Sequence, residues 1–175
     1  MTERSSPQSL AVPGKAALAA PPPASLQPAR GASEATREYL VFEVAGDRMA
    51  LPLGAVKEIL KLSPITAVPR AAHDVLGILS VRGRITTVLC LRARLALPPP
   101  EVSTRSARIL LVDRGTEIIG VRVDAVSEVL RLRPSEIEAA DVIGAGLAEH
   151  VTGIGRPGGQ QGQVVVLLDP VALLR

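Results

Sequence analysis

The sequence is poor in the residues that most often carry chemistry. Tryptophan is absent, and Tyr39 and Phe42 are its one tyrosine and one phenylalanine. Without aromatic faces a chain lacks the platforms on which single-stranded nucleic acids stack. Cys90 is the single cysteine, which excludes an intramolecular disulfide framework and any four-cysteine zinc site. His73 and His150 are the only histidines, too few for a histidine-rich metal centre. No apolar run reaches the ~18 residues of a membrane-spanning helix. The start, Met1-Thr2-Glu3-Arg4, lacks the basic opening of a secretory signal, and the Ala16–Ala20 patch stops at Pro21-Pro22-Pro23. The expectation is a cytoplasmic protein with no membrane insertion, metal or cofactor.

Against these shortages, 47% of the 175 residues are hydrophobic, so the core is built from Val, Leu, Ile and Ala. A chain of this length buries enough surface to hold a core without staples. The net charge of +3 says little about partners. Much of the excess lies in Arg4, Lys15, Arg30 and Arg37, set against Glu3 and Glu34, and the remainder is nearly neutral. That distribution argues against a nucleic-acid partner. Residues 1–37 hold six of the fifteen prolines and too little apolar bulk to offset ordering entropy, which predicts a disordered Pro/Ala-rich leader.

Glu38 opens a folded region, 38–175. Strand-like segments face each other across turn signals: Tyr39–Val44 and Met49–Leu53, Gly77–Val81 and Ile85–Leu91, Arg108–Val112 and Glu117–Val123, Val151–Gly155 and Val164–Leu168. Short strands with Gly and Pro punctuation point to small barrels or sandwiches. Helical character is expected only over Ala71–Leu76, after Pro134, and over Asp169–Leu174, where Asp169 suits a cap and Pro170 a first helical position. An internal repeat supplies the architecture. Ala55-Val56-Lys57-Glu58-Ile59-Leu60-Lys61-Leu62-Ser63-Pro64 returns as Ala125-Val126-Ser127-Glu128-Val129-Leu130-Arg131-Leu132-Arg133-Pro134. Gly77-Ile78 followed by Thr87–Leu91 likewise returns as Gly153-Ile154 followed by Val166–Pro170. A repeat of this size suits a five-stranded barrel. The fold is expected to be mainly β: two similar subdomains over roughly 38–106 and 107–175, with segment exchange between them possible.

Candidate catalytic groups are few. No Gly-x-Ser-x-Gly elbow is present, His73 and His150 stand alone in sequence, and Cys90 sits in an apolar strand. Gly153-Ile154-Gly155-Arg156-Pro157-Gly158 matches a dinucleotide-binding pattern in form, but a strand rather than a helix follows it, so it reads as a hairpin loop. Seven arginines lie between Arg82 and Arg114 against Glu101 and Asp113, and acids predominate from Glu117 to Glu149. Complementary surfaces of this kind suit protein partners.

Several blocks then stand in a familiar order: Leu40-Val41-Phe42, Met49-Ala50-Leu51-Pro52-Leu53, Val56-Lys57-Glu58-Ile59, Ile65-Thr66-Ala67-Val68-Pro69, Val75–Ile85 with its Arg82-Gly83 turn, Gly120–Val126 and Val151–Ile154. Together they resemble the CheW family, the adaptors that couple chemoreceptors to the histidine kinase CheA. The resemblance runs from Glu38 to the end. It implies two five-stranded SH3-like barrels around a hydrophobic centre and a non-catalytic scaffold in a cytoplasmic receptor array. The implied partners are the cytoplasmic tip of a methyl-accepting chemotaxis receptor and the regulatory domain of a CheA-type kinase. Val56, Glu58, Gly77, Arg82 and Gly83 match receptor-docking positions, with Glu58 and Arg82 as a salt-bridged pair, and Ile65 and Val68 match the kinase-binding side. Gly77 is expected to let a partner helix approach closely. The family usually has Asn-Leu where Ser80-Val81 stand, and Pro and Asp where Thr87 and Cys90 stand. The alternative is a diverged regulator that binds only receptor or only kinase.

Overall fold

The computed structural model describes residues 35–99, 105–139, 148–159 and 163–175. Most of the expected leader lies outside the described residues. The four expected hairpins are present. Strands β1 (Arg37–Val44) and β2 (Asp47–Pro52) form the first, β4 (Val75–Val81) and β5 (Arg84–Cys90) the second, β6 (Arg108–Asp113) and β7 (Ile118–Val123) the third. The fourth joins β10 (Val151–Gly155) to β11 (Val165–Leu168), so the Gly153–Gly158 pattern is strand and turn. The two copies of the repeated segment are themselves strands, β3 (Val56–Lys61) and β8 (Ala125–Leu132), and a short β9 spans Ile137–Ala139. Two four-residue helices, α1 (Leu91–Arg94) and α2 (Pro170–Leu173), complete the fold together with single 3-10 turns.

Residues 71–74 do not form the expected helix, and Val75 already opens β4. The backbone instead turns through Val75 N–H to Ala72 C=O at 3.0 Å, while the Asp74 carbonyl accepts from Cys90 N–H at 2.7 Å. A helix would withdraw that carbonyl from β5.

The strands form two sheets, in the orders β8-β1-β2-β11-β10-β9 and β3-β6-β7-β5-β4. Advancing each strand by one repeat turns the second order into β8-β1-β2-β11-β10, which is the first without β9. Each sheet therefore takes a hairpin from the opposite half of the chain: β1–β2 joins β8–β11, and β6–β7 joins β3–β5. Both insertions are sealed by parallel pairs, Leu167↔Ala50 in one sheet and Val88↔Gly120 in the other.

Strand alternation sends side chains to two kinds of core. Leu40, Phe42, Met49, Leu51, Leu110, Val112, Val121, Leu91 and Leu173 fill a central cluster between the sheets. The opposite faces curl around smaller clusters, Tyr39, Val41, Leu132 and Leu167 in one sheet and Val88, Ile109 and Leu111 in the other. The two five-stranded barrels expected from sequence are, in hydrogen-bonding terms, open curled sheets, one of them six-stranded. Closure would require β3 to pair with β4, but the chain after β3 returns to occupy that edge. Thr66 and Ile78 exchange two backbone hydrogen bonds of 2.9 Å each. In the other sheet β9 does the same to β10.

The two helices differ at their first turns. Asp169 accepts from Val171 N–H at 2.8 Å and from Ala172 N–H at 3.4 Å, whereas Cys90, at the matching position before α1, makes no side-chain cap. A capping side chain contributes about 1 kcal/mol. Cys90→Asp is therefore expected to raise stability by about that amount in urea unfolding, and Asp169→Ala to lower it similarly.

Candidate functional site

The hairpin from β4 to β5 is a two-residue turn in which Arg82 and Gly83 take φ values of 50° and 80°. This left-handed pair suits the twist of the strands it joins, and it projects Arg82 away from the sheet. There Arg82 Nη2 meets Glu58 Oε1 of β3 at 2.9 Å. β3 and β4 are opposite edges of one sheet, so the pair bridges the gap that backbone hydrogen bonds leave open. Arg82 is 80% exposed and Glu58 32%, which limits the pair to about 1 kcal/mol or less of stability. Its position on an open surface suits recognition better than folding. Val56, two residues before Glu58, packs against the central cluster. A bulge between Val56 and Glu58 turns these two side chains to different faces of the sheet.

Gly77 stands apart from this pair and serves a different need than expected. A Cβ there would lie 2.1 Å from the Thr66 carbonyl oxygen and 2.9 Å from Ile65 Cγ2, and the backbone φ is 144°. The returning 65–66 segment of its own chain needs the space that the missing side chain leaves. Gly153 repeats the device in the other sheet, where a Cβ would lie 2.5 Å from the Glu138 carbonyl oxygen. A bulky residue at position 77 would therefore displace the 65–66 segment.

Ile65 is half-buried and packs against the Val88, Ile109 and Leu111 cluster. Val68 is 41% exposed on the same returning segment. The structure thus joins Glu58 to Arg82, and Ile65 to Gly77 through Thr66, and leaves Val68 open on the surface.

Two arginines of α1 hold the frame behind these residues, and their role was not legible from sequence. Arg92 places Nη2 at 2.6 Å and Nε at 3.0 Å from Asp124 Oδ2. That carboxylate also accepts from Ala45 N–H at 2.8 Å, so one side chain ties α1, the β1–β2 turn and the β7–β8 junction. Arg94 bonds Asp74 Oδ2 at 2.8 Å and the Leu173 carbonyl at 3.0 Å, linking the entry of β4 to α2. The spacing Arg-x-Arg after an apolar strand was the only available signal. His73 and His150 line a cleft of about 440 Å³ beside Asp74 and Arg94. His150 Nε2 lies 3.6 Å from Glu149 Oε1, and its Nδ1 is buried without a partner among the described residues. Cys90 is half-buried at the end of β5. No group of three or more His, Cys, Asp or Glu that could hold a metal occurs among the described residues. Among those residues, too, no helix is long and apolar enough to cross a membrane.

Burial pushes the Asp124 carboxyl up, but hydrogen bonds from Arg92 and Ala45 and the charges of Arg92 and Arg122 outweigh it, and the net shift is downward. Asp113 and Glu136 are also lowered, Asp113 by the Gly115 N–H and then Lys57, Glu136 by the N–H groups of Arg133 and Gly158.

Comparison with known proteins gives concordant matches. A family model described as the CheW-like domain matches residues 38–175. The chain is 36% identical over 103 residues to chemotaxis protein CheW of Bacillus subtilis (strain 168), an alignment spanning 59% of this chain and 65% of that one. It is 27% identical over 139 residues to protein FrzA of Myxococcus xanthus, spanning 79% and 86%. Among solved structures, scaffolding protein TtCheW from Thermoanaerobacter tengcongensis matches with a TM-score of 0.70 at 25% identity, covering 77% of this chain and 89% of that one.

Two outcomes follow from the geometry. Gly77→Ala is expected to destabilise by roughly 3 kcal/mol, while Gly54→Ala, with open space around its Cβ, is expected to stay within about 0.5 kcal/mol; paired denaturation curves measure both. A lowered carboxyl pKa adds stability that is present above the unfolded value, ~3.9, and is lost as pH falls through the folded value. Stability is therefore expected to fall on acidification below about pH 4. Asp124→Asn should be less stable at neutral pH and show a shallower acid loss, with the remaining slope contributed by Asp113 and Glu136.

Proposed function

This chain belongs to the CheW-like domain family, and from that premise we propose that it is a non-catalytic adaptor coupling chemoreceptors to a CheA-type histidine kinase in a cytoplasmic chemosensory array. The observation that carries the site assignment is the exposed Glu58–Arg82 pair at 2.9 Å. It sets a fixed charge pattern across the open edge of a rigid sheet, beside Val56 and the Arg82-Gly83 turn. The tip of a receptor helical hairpin docks on this edge, with Gly77 acting indirectly by seating the 65–66 segment. The kinase regulatory domain takes the neighbouring surface around Val68, and Ile65 anchors that surface from below.

An adaptor of this kind performs no bond chemistry. It holds two partners at a fixed mutual geometry, so a receptor state that contacts it differently changes the kinase state it favours. Rigidity is then the working property. The central cluster between the sheets and the arginine ties at Asp124 and Asp74 supply it.

The test is co-sedimentation of receptor cytoplasmic fragments with the kinase, with and without this protein, reading kinase autophosphorylation in the same tubes. The expected result is that the protein carries kinase into the pellet and raises its activity. Arg82→Glu and Glu58→Arg should each weaken receptor binding by about tenfold with unchanged thermal melting, since the pair adds little to folding. Failure of the unmodified protein to bring receptor and kinase into one pellet would overturn the adaptor assignment. Full receptor binding by both variants would remove the pair from the site.

A further inference from the structure

The internal duplication shows where one half carries charge that the other neutralises. In the sheet containing β1 and β8, Glu38 and Arg131 face each other across the ladder and form an ion pair of 2.9 Å. The positions one repeat away are Arg108 and Lys61, which face each other across β6 and β3. Like charges placed directly opposite cost stability rather than add it. Arg108 directs Nη1 to the carbonyl oxygens of Arg105, Ser106 and Ala107, at 3.2, 3.0 and 2.8 Å. Among the described residues no ion pair reaches Lys61, Arg105 or Arg108.

This cationic end lies on a strand with a free side. β3 is the last strand of its sheet, with β6 as its one hydrogen-bonded neighbour, and it displays apolar surface beside the charge. Ile59 is 43% exposed and Leu62 40%. Along β3, Ile59 and Lys61 share a face by strand alternation, and Arg108 continues the Lys61 row one strand inward.

We propose that the outer edge of β3 is a docking site for an extended acidic peptide segment of a protein partner, which adds as a further strand with a carboxylate beside Lys61 and Arg108 and an apolar side chain beside Ile59. The free edge supplies backbone donors and acceptors, and alternate side chains supply selectivity. The recognised pattern is an acid and an apolar residue two positions apart on one face. Three cations without an ion pair among the described residues fall short of the cluster of about four to eight that marks an anionic membrane surface. The absence of aromatic side chains from the patch disfavours single-stranded nucleic acid. Val56 and Glu58, assigned above to receptor docking, lie on the same strand, but the peptide is held by Lys61, Arg108 and Ile59, which carry no receptor or kinase assignment.

The probe is a short synthetic peptide alternating glutamate and valine, closed by proline at both ends against self-assembly, with the lysine–valine peptide as its opposite. Binding to the full chain is read by fluorescence anisotropy across a salt series, and the contact is located by hydrogen exchange. The glutamate peptide is expected to bind with salt-sensitive affinity and to slow amide exchange within Val56–Lys61. The Lys61→Glu/Arg105→Glu variant, whose changes fall at exposed positions, should bind it about tenfold more weakly and gain binding of the lysine peptide. Equal binding of both peptides, no binding of either, or protection away from β3 would each overturn the proposal. So would Lys61-dependent binding of anionic vesicles or DNA tighter than that of the peptide and without β3 protection.

Discussion

The central apolar cluster between the two sheets is the constraint from which the rest of the structure follows. Phe42 and Met49 reach it from one hairpin, Leu110 and Val121 from the repeated hairpin, and Leu91 and Leu173 from the two short helices. Because each hairpin is inserted into the sheet of the opposite half, neither sheet is complete until both halves of the chain are present. Burying one large aliphatic side chain contributes about 1.5–3 kcal/mol, so a cluster shared by both sheets couples their stability strongly. The polar ties at Asp124 and Asp74 sit at the rim of this cluster. They fix the angle at which α1 and α2 close it.

Much of this was legible in the sequence, and the omissions have physical causes. Hairpins are local: an apolar strand, a turn such as Ala45-Gly46 or Arg82-Gly83, and a second strand lie within a dozen or so residues. The repeat was visible because both copies meet the same demand, alternate burial on an edge strand with a bulge after Val56 and Val126. What the repeat could not reveal is which hairpin joins which sheet, since the burial pattern of β1–β2 is satisfied equally by either neighbour. The segment 71–76 misled because Ala71, Ala72 and Leu76 favour helix, while the decisive interaction is a tertiary hydrogen bond from Cys90 to the Asp74 carbonyl.

The candidate site was legible in its charges and not in its glycine. Glu58 and Arg82 are 24 residues apart in the chain and meet as expected. Gly77 was read as clearance for a partner helix, and the structure adds a need within the chain: Thr66 occupies that space, and its return to β4 leaves no signature beyond a single isolated bridge. Ile65 was read as a surface contact, yet its side chain also fills the interior of the curled sheet. Its half-buried side chain also sets the position of its neighbours. The Cys90 position shows the converse. The duplicate half has Asp at position 169 with its cap formed, while the half with Cys90 folds without that local contact.

The duplication also separates what folding requires from what it leaves free. Where both halves keep the same device, the fold needs it: the glycine under a crossing strand at 77 and 153 and the bulge in β3 and β8. Where the halves diverge, folding is indifferent and a surface can specialise. Glu58 crosses an open edge to Arg82, whereas its counterpart Glu128 is held by Arg48 within its own sheet. In that second sheet Arg156, just past the end of β10, pairs with Glu138 of the neighbouring β9 at 3.0 Å. One half thus presents an exposed pair reaching beyond its sheet, and the other keeps its charges inside the ladder. A scaffold that must distinguish two partners needs such an asymmetry, because two equivalent faces would offer each partner the same contacts and fix no order between them.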